Sequence, residues 1–222
     1  MDWSALRVSL WLGAGTILIL LPFGLWLGRL LALYQFRGKL LLEALLTVPL
    51  VLPPTVLGFY LLVTFGARSP LGRAFQALVG QSLPFSFQGL LFASAIANIP
   101  FVVQPFQRGF EAIPADVRDA AACCGLTPWQ RFLRIEVPLA WPSILTATIL
   151  TFAHTLGEFG VVLMVGGNLP GRTRTLSIAI YDRMQAFDDR SAGVMAATLL
   201  VIAVATLMTT TALSRRVGVR RV

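Results

Sequence analysis

The sequence contains little charge, and most of that charge is of one sign. Only 13% of its 222 residues are charged and 56% are hydrophobic, whereas about a quarter of a typical soluble domain is charged. This composition excludes a disordered chain, a collagen-like chain and a nucleic-acid-binding domain. The chain has 18 basic residues, of which only Lys39 is a lysine, against 10 acidic ones. A net charge of +8 in so apolar a chain indicates membrane topology rather than a polyanionic partner.

Histidine and cysteine are also scarce. The only histidine is His154, and the two cysteines, Cys123 and Cys124, are adjacent. Adjacent cysteines rarely reach disulfide geometry and no second pair completes a metal site, so we interpret them as two small apolar residues. His154 lies four residues before Glu158 on one helix face, but one histidine and one carboxylate are too few ligands for a metal. We therefore predict neither a metal site nor catalytic residues.

Five apolar segments are long enough to cross the hydrocarbon core of a membrane, which takes about 20 residues. They are Ser9–Gly28, Leu40–Phe65, Gly89–Phe106, Leu139–Gly166 and Ala192–Leu213. The first is long enough to span and lacks the cleavage site of a signal peptide, so we predict that it is retained. The sequence thus predicts an all-α transmembrane protein, with about five kinked spans in one domain over residues 1–222.

The distribution of basic residues predicts the orientation of these spans. With the N-terminus outside the cell, eleven basic residues lie inside and seven lie outside. The inside set is Arg29, Arg37, Lys39, Arg108, Arg118, Arg131, Arg134, Arg215, Arg216, Arg220 and Arg221. The C-terminus is then cytoplasmic. The stretch Arg172–Asp189 carries too many charges to span, and we interpret it as a short helix at the membrane surface.

Proline is frequent inside the predicted spans, where each ring removes a helix hydrogen bond and bends the helix. The prolines are Pro49, Pro53, Pro54, Pro100, Pro105 and Pro142. The dense group at Val48–Pro54 suggests a gate or hinge in the second span, and the alternative is that the prolines only shape helix packing. Gly24 and Gly28 match the small-residue packing motif of membrane helices, a match that is common in apolar sequences.

The polar segment Gln107–Pro138 has the pattern of two short helices joined by a turn. Pro114 suits a first helical turn, and the alanine-rich stretch that follows it favours a helix. Gly125 is expected to end that helix in a left-handed conformation. Thr127 and Gln130 have the spacing of a capping box at the start of the second helix.

Small residues on this segment leave room for another protein to approach closely. These are Ala120, Ala121 and Gly125. We expect a partner inside the cell to hold the segment. The alternative is an amphipathic loop that lies on the lipid.

The spacing of these small residues resembles the EAA motif of type I ABC importer permeases. The matching residues are Asp119, Ala120, Ala121, Gly125, Ile135 and Pro138. Asp119 stands where the motif has glutamate, and Val137 where it usually has leucine. The resemblance implies that residues 107–138, which we call the coupling segment, contain a helix that docks in a groove of a separate ATPase subunit.

Two further stretches resemble molybdate permease subunits within this family. The paired-proline segment Val48–Pro54, followed by Gly58–Leu62, is similar to their second helix. The stretches Leu156–Gly160 and Gly167–Thr175 are similar to their fourth span and outer loop. Sulfate permeases share the Leu156–Gly160 portion, so sulfate or thiosulfate import is the alternative within the family. The resemblance extends from about Leu40 to Leu213.

The resemblance implies alternating-access import of molybdate, and also of tungstate, across a bacterial inner membrane. Lys39 lies outside any Gly-x-x-x-x-Gly-Lys-Ser/Thr pattern, so the chain has no phosphate-binding loop of that kind. We therefore expect no cofactor on this chain and no enzymatic activity, with ATP and Mg used by the partner ATPase. The expected partners are two ATPase subunits, an oxyanion-binding protein outside the cell and membrane lipid.

Because five helices are too few to enclose a path alone, we also expect a homodimer with the path at its two-fold interface. The rival from another class is an ATP-independent anion channel or secondary carrier. Such a carrier usually shows internal repeats or more ionisable groups inside the membrane, and we find no repeat.

The predicted gate, or translocation path, consists of Pro53, Pro54, Gly157, Glu158 and Gly160. A bare carboxylate at Glu158 would repel an oxyanion. We therefore expect hydrogen bonds or His154 to hold it, so that it braces the gate; a purely structural buried carboxylate is the alternative.

Two arginines in the predicted outer loop are candidates for contact with the binding protein. These are Arg172 and Arg174. The alternative for both is contact with lipid headgroups.

Overall fold

The computed structural model describes the backbone of residues 1–219 and the side chains of residues 1–209. Within this part the chain is helical, with eleven α-helices, one π-helical turn and no strand. The predicted all-α fold is confirmed. Arg220 and Arg221, which the sequence predicts to be cytoplasmic, lie outside the described residues.

Three long helices form the centre of the molecule: α1 (Trp3–Leu33), α5 (Phe87–Glu111) and α8 (Val137–Gly157). Their largest shared core contains Leu20, Val102, Phe106, Phe110 and Ile144. Helices α1 and α5 are each long and apolar enough to cross a membrane, and so is the continuous helical stretch Pro128–Gly157 that contains α8.

The small-residue motif on α1 serves the packing of α1 against α5. A Cβ atom at Gly24 would lie 2.1 Å from Cγ1 of Val102, and one at Gly28 would lie 2.7 Å from Cβ of Phe106. Both distances are far below ordinary contact, so only glycine permits this approach of the two helices.

The second predicted span is a pair of helices rather than one kinked helix. The chain forms α2 (Lys39–Val51) and α3 (Pro54–Phe65), and the two axes meet at 110°. Leu52 and Pro53 are extended between them. The prediction of one kinked helix from Leu40 to Phe65 is therefore corrected to two helices with a sharp break. The physical reason is that consecutive prolines fix φ and offer no amide hydrogen to continue the helix.

The fourth predicted span is also interrupted. Helix α8 ends at Gly157, Glu158 has an extended backbone, and α9 (Gly160–Gly166) follows. The prediction of one span from Leu139 to Gly166 is wrong on this point. Part of the reason is that the Glu158 carbonyl accepts a hydrogen bond from the Ser177 hydroxyl at 2.7 Å.

Shorter helices and one long helix complete the fold. They are α4 (Pro70–Val79), α6 (Ala115–Cys123), α7 (Pro128–Arg131), α10 (Leu176–Gln185) and α11 (Asp189–Val219). The helix expected between Arg172 and Asp189 is confirmed as α10, whereas α4 was not predicted. Four helices of the described chain are candidate spans, and there are five if the bent α2–α3 pair counts as one.

Candidate functional site: the coupling segment and two interrupted spans

The coupling segment folds as its local sequence predicts, with one shift at its start. Pro114 precedes α6 as its N-cap instead of occupying the first turn. Gly125 adopts φ +79°, and its amide bonds to the Ala122 carbonyl while that of Leu126 bonds to the Ala121 carbonyl. This is the Schellman pattern of a helix that ends in a left-handed residue.

A capping box starts α7, as the sequence predicts. The backbone amide of Gln130 donates to the Thr127 hydroxyl at 3.3 Å, and the backbone amide of Thr127 donates to Oε1 of the Gln130 side chain at 2.9 Å. The two short helices are thus fixed by contacts within a few residues of one another.

The motif residues of the coupling segment do not all face outward. Asp119, Ala120 and Gly125 are exposed, and the Asp119 side chain has no hydrogen bond or ion pair within the described part of the chain. Ala121 is 7% exposed. The expectation that Ala121 leaves room for another protein is therefore wrong, because its methyl group packs inside this chain. Ile135 is half-buried and Pro138 is exposed.

An ion pair that the sequence did not reveal joins the coupling segment to α1. Arg29 donates from Nε to Oε2 of Glu136 at 2.5 Å and from Nη2 to Oε1 at 3.2 Å. The Glu136 side chain is 3% exposed. The guanidinium also lies 5.4 Å from the ring centre of Phe132. Phe132 and Glu136 are the ends of the π-helical turn that connects α7 to α8.

The two interrupted spans meet at their breaks. A Cβ atom at Gly160 would lie 2.8 Å from Cβ of Pro54 and 3.1 Å from the amide nitrogen of Thr55. One helical turn further along α3, a Cβ atom at Gly58 would lie 2.8 Å from Cβ of Met164. Glycine at both positions lets α3 and α9 pack closely.

The five predicted gate residues are only partly brought together. Pro54 and Glu158 line one small cavity of about 90 Å³, together with His154 and Phe101, and Gly160 contacts Pro54. Pro53 precedes α3 and is exposed. Gly157 is exposed, and an added Cβ there would meet nothing within 4 Å. The structure thus gives no packing reason for glycine at residue 157.

The buried carboxylate of Glu158 has partners on both sides. Its Oε1 accepts from the Val161 amide at 3.1 Å, and its Oε2 lies 3.7 Å from Nε2 of His154. A carboxylate beside the free amides that begin α9 is in a favourable electrostatic position. The Val161 amide gives this carboxylate a hydrogen bond, and the His154 ring lies beside it at a distance too long for a second one.

His154 continues this network into the core. Its Nδ1 lies 3.1 Å from Oδ1 of Asn98, and the Asn98 Nδ2 donates to the Ser94 carbonyl at 2.8 Å. Because the amide nitrogen of Asn98 is engaged there, its oxygen accepts and Nδ1 of His154 is the donor. The Ser94 hydroxyl accepts from Thr16 on α1 at 3.0 Å. A line of polar groups therefore runs from the break in the fourth span to α1.

The two arginines of the predicted outer loop differ in their surroundings. Arg172 is exposed and lines an open cavity of about 440 Å³ with Arg7. Arg174 donates to Oδ1 of Asn168 at 2.7 Å and lies 3.6 Å from an Asp182 oxygen. Arg174 thus holds the loop at Asn168 to α10, and of the two arginines only Arg172 is open to another molecule.

Arg174 also acts on the start of α1. It lies 4.0 Å from an oxygen of Asp2. Burial alone would raise the pKa of Asp2, but hydrogen bonds from Ser4 and Ala5 and the charge of Arg174 outweigh burial and lower that pKa.

Comparison with known proteins gives the family. Residues 21–219 match the family described as the binding-protein-dependent transport system inner membrane component. The chain belongs to this family, and the resemblance stated from its sequence is confirmed. Among the described residues no group of three or more histidine, cysteine, aspartate or glutamate side chains could hold a metal ion.

Several curated relatives are similar over most of their length. The chain is 48% identical over 187 residues to the molybdenum transport system permease protein ModB of Azotobacter vinelandii, covering 84% of this chain and 83% of that protein. It is 36% identical over 207 residues to the ModB protein of Escherichia coli K12, covering 93% and 89%. The sulfate transport system permease protein CysT of Escherichia coli K12 is 32% identical over 198 residues, covering 89% and 71%.

Solved structures share the fold at low sequence identity. One is a bacterial alginate ABC transporter in complex with an alginate-bound periplasmic protein, with a TM-score of 0.75 at 17% identity, covering 96% of this chain and 78% of that one. Another is the MetNI methionine ABC transporter in an inward-facing conformation, with a TM-score of 0.71 at 18% identity, covering 97% and 94%. The type I ABC importer fold is therefore confirmed.

Proposed function

We propose that this chain is the transmembrane permease subunit of an ATP-driven importer that translocates molybdate, and tungstate as a similar anion. The observation that carries the proposal is the 48% identity to a molybdenum transport permease over more than four fifths of both chains. Sulfate or thiosulfate is the second candidate, because a sulfate permease is similar at 32% identity.

The proposed cycle uses energy that arrives through the coupling segment. A loaded oxyanion-binding protein docks outside, two ATPase subunits close on ATP and Mg, and their movement passes to the spans. The open surface at Asp119, Ala120 and Gly125 supports this assignment of the docking site. The chain itself would then be a pore-forming subunit without enzymatic activity.

The chemistry at the interrupted spans supports a gate there. An oxyanion passes most easily where dipoles attract it weakly and no free carboxylate repels it. Glu158 is engaged with the Val161 amide and faces His154, so it braces the break between α8 and α9 without presenting a bare charge. If Glu158→Gln left folding, coupled ATP hydrolysis and uptake all normal, this role would be refuted.

A homodimer fits the exposure of α2. No residue of this apolar helix is buried within one chain, and a second copy would cover part of it. We place the N-terminus outside the cell and the C-terminus in the cytoplasm, which puts the coupling segment on the ATPase side. On the opposite side, Arg172 is the candidate contact for the binding protein, and lipid headgroups are its alternative partner.

The function is tested by vesicle uptake with the reconstituted complex. ATP-dependent molybdate uptake that excess sulfate does not inhibit supports molybdate import, and the reverse pattern supports sulfate import. Uptake that continues without the ATPase subunits would instead indicate a channel or carrier.

The docking site is tested by Gly125→Trp, with Gly80→Trp as a matched control. Both glycines have left-handed φ angles, +79° and +74°, and an added Cβ at either meets nothing within 4 Å. The two variants therefore carry similar backbone strain. Only Gly125→Trp should lose co-purification with the ATPase; equal retention by both variants would contradict the assignment.

A further inference from the structure

The ion pair between Arg29 and Glu136 is unusual in its position. The two residues lie 107 positions apart in sequence, one on α1 and the other at the end of the coupling segment. Helices α5 and α8 are covalently continuous with that segment, whereas α1 reaches it only through noncovalent contacts. The same guanidinium meets both ends of the π-helical turn, Phe132 by its ring and Glu136 by its carboxylate.

The geometry of this contact prevents α1 from sliding easily against the coupling segment. A two-pronged arginine–carboxylate pair fixes both distance and orientation, whereas an apolar contact fixes neither. Because the Glu136 side chain is 3% exposed, separation of the pair would leave a buried charge without its partner. The Phe132 ring extends the contact, with its centre 5.5 Å from that of Trp129 and 6.4 Å from that of Phe110.

The turn that carries this contact is itself irregular. Residues 132–136 form a π-helical turn between α7 and α8, and such turns occur often at functional positions. Trp129, in α7 just before this turn, is 67% exposed and lies on the segment that we propose docks with the ATPase. A displacement of α7 therefore reaches Phe132 and Glu136 within a few residues.

We infer that Arg29 and Glu136 are a positioning pair that makes the adjacent end of α1 move together with the coupling segment during the ATP cycle. This inference rests on the proposed function. Gly24 and Gly28 also pack α1 closely against α5. With the ion pair in place, α1, α5 and α8 are therefore all attached to the coupling segment and move together with it. Without the pair, α1 follows the segment only through its packing against α5 and α8, and its end beside the π-helical turn is no longer held to Phe132 and Glu136.

The test removes the charges and keeps the packing, with Arg29→Met and Glu136→Met made together. Replacement of a buried ion pair by apolar residues of similar volume often preserves stability. The reconstituted complex is assayed for co-purified ATPase, ATP hydrolysis and molybdate transported per ATP. We expect assembly and hydrolysis to persist while transport per ATP falls about tenfold, within the usual range of coupling between sites. The control Arg183→Met breaks the more exposed ion pair with Asp188 and leaves the Asp188 carboxylate to accept from the Ser191 amide; it should keep the ratio unchanged.

The outcomes separate this inference from the proposed function. If the wild-type complex lacks ATP-dependent uptake, the proposed function fails. If the wild type transports and the double variant keeps its transport per ATP within twofold, the inference is overturned. If the double variant does not assemble, the inference is tested with Arg29→Lys instead. Lysine keeps the positive charge but cannot form the two-pronged contact with the Glu136 carboxylate. A lower ratio in that variant supports the positioning role, and an unchanged ratio refutes it.

Discussion

Gly160 and Gly157 lie three residues apart, on either side of the break in the fourth span, and their surroundings are opposite. A Cβ atom at Gly160 would stand 2.8 Å from Pro54, about 0.6 Å short of the 3.4 Å at which ordinary contact begins, and 3.1 Å from the Thr55 amide. A Cβ atom at Gly157 would meet nothing within 4 Å. We therefore predict opposite effects of alanine at the two positions.

The magnitude follows from what the added methyl group meets. The proline ring and the backbone at the start of α3 cannot rotate aside as a flexible side chain would, so α3 and α9 must separate. Overpacking of this kind costs about 1–3 kcal/mol. The alanine at residue 157 meets no such obstacle and gains up to about 1 kcal/mol from reduced backbone freedom in the unfolded chain. Gly160→Ala should thus be less stable than Gly157→Ala.

Thermal unfolding in detergent, followed by circular dichroism, measures this difference. For a chain of this length each 1 kcal/mol shifts the melting temperature by about 2–4 °C. Uptake assays on the same variants should show that Gly160→Ala impairs transport and Gly157→Ala does not. Equal melting temperatures would refute the claim that close approach of α3 and α9 requires glycine at residue 160.

Three further predictions concern single side chains. Thr173→Val removes the buried hydroxyl that bonds to the Gly166 carbonyl and the Leu169 amide; it should cost about 1–3 kcal/mol, measured by thermal unfolding, and an unchanged melting temperature would contradict it. Thr127→Ala should destabilise α7 by about 1 kcal/mol through loss of its cap, seen as faster hydrogen exchange there, whereas Thr127→Ser should retain protection. Because the folded pKa of Asp2 is lowered, its stabilisation is present above its unfolded value of about 3.9 and is lost as the pH falls through the folded value. Asp2→Asn should therefore reduce the acid sensitivity of the melting temperature, and an identical pH profile would refute this contribution.

The coupling segment was predictable because its determinants are local. Gly125 reaches the left-handed conformation, and Thr127 with Gln130 closes the capping box, through contacts within a few residues of each other. Sequence alone could not show that Ala121 faces inward, because that depends on which side of α6 the bundle covers. The ion pair between Arg29 and Glu136 could be anticipated only weakly. Arg29 is a single charge at the end of an apolar run, and Glu136 is a single charge where the chain turns apolar again before α8.

The sequence by itself determined that this chain is a membrane protein, which segments are apolar enough to span, and which motif links it to its family. Those properties follow from composition, run length and short-range spacing. Only the tertiary structure decided that the breaks in the second and fourth spans meet at Pro54 and Gly160, that Arg174 is occupied by its own chain, and that α1 is joined to the coupling segment. These features depend on contacts between residues far apart in sequence, which no local pattern encodes.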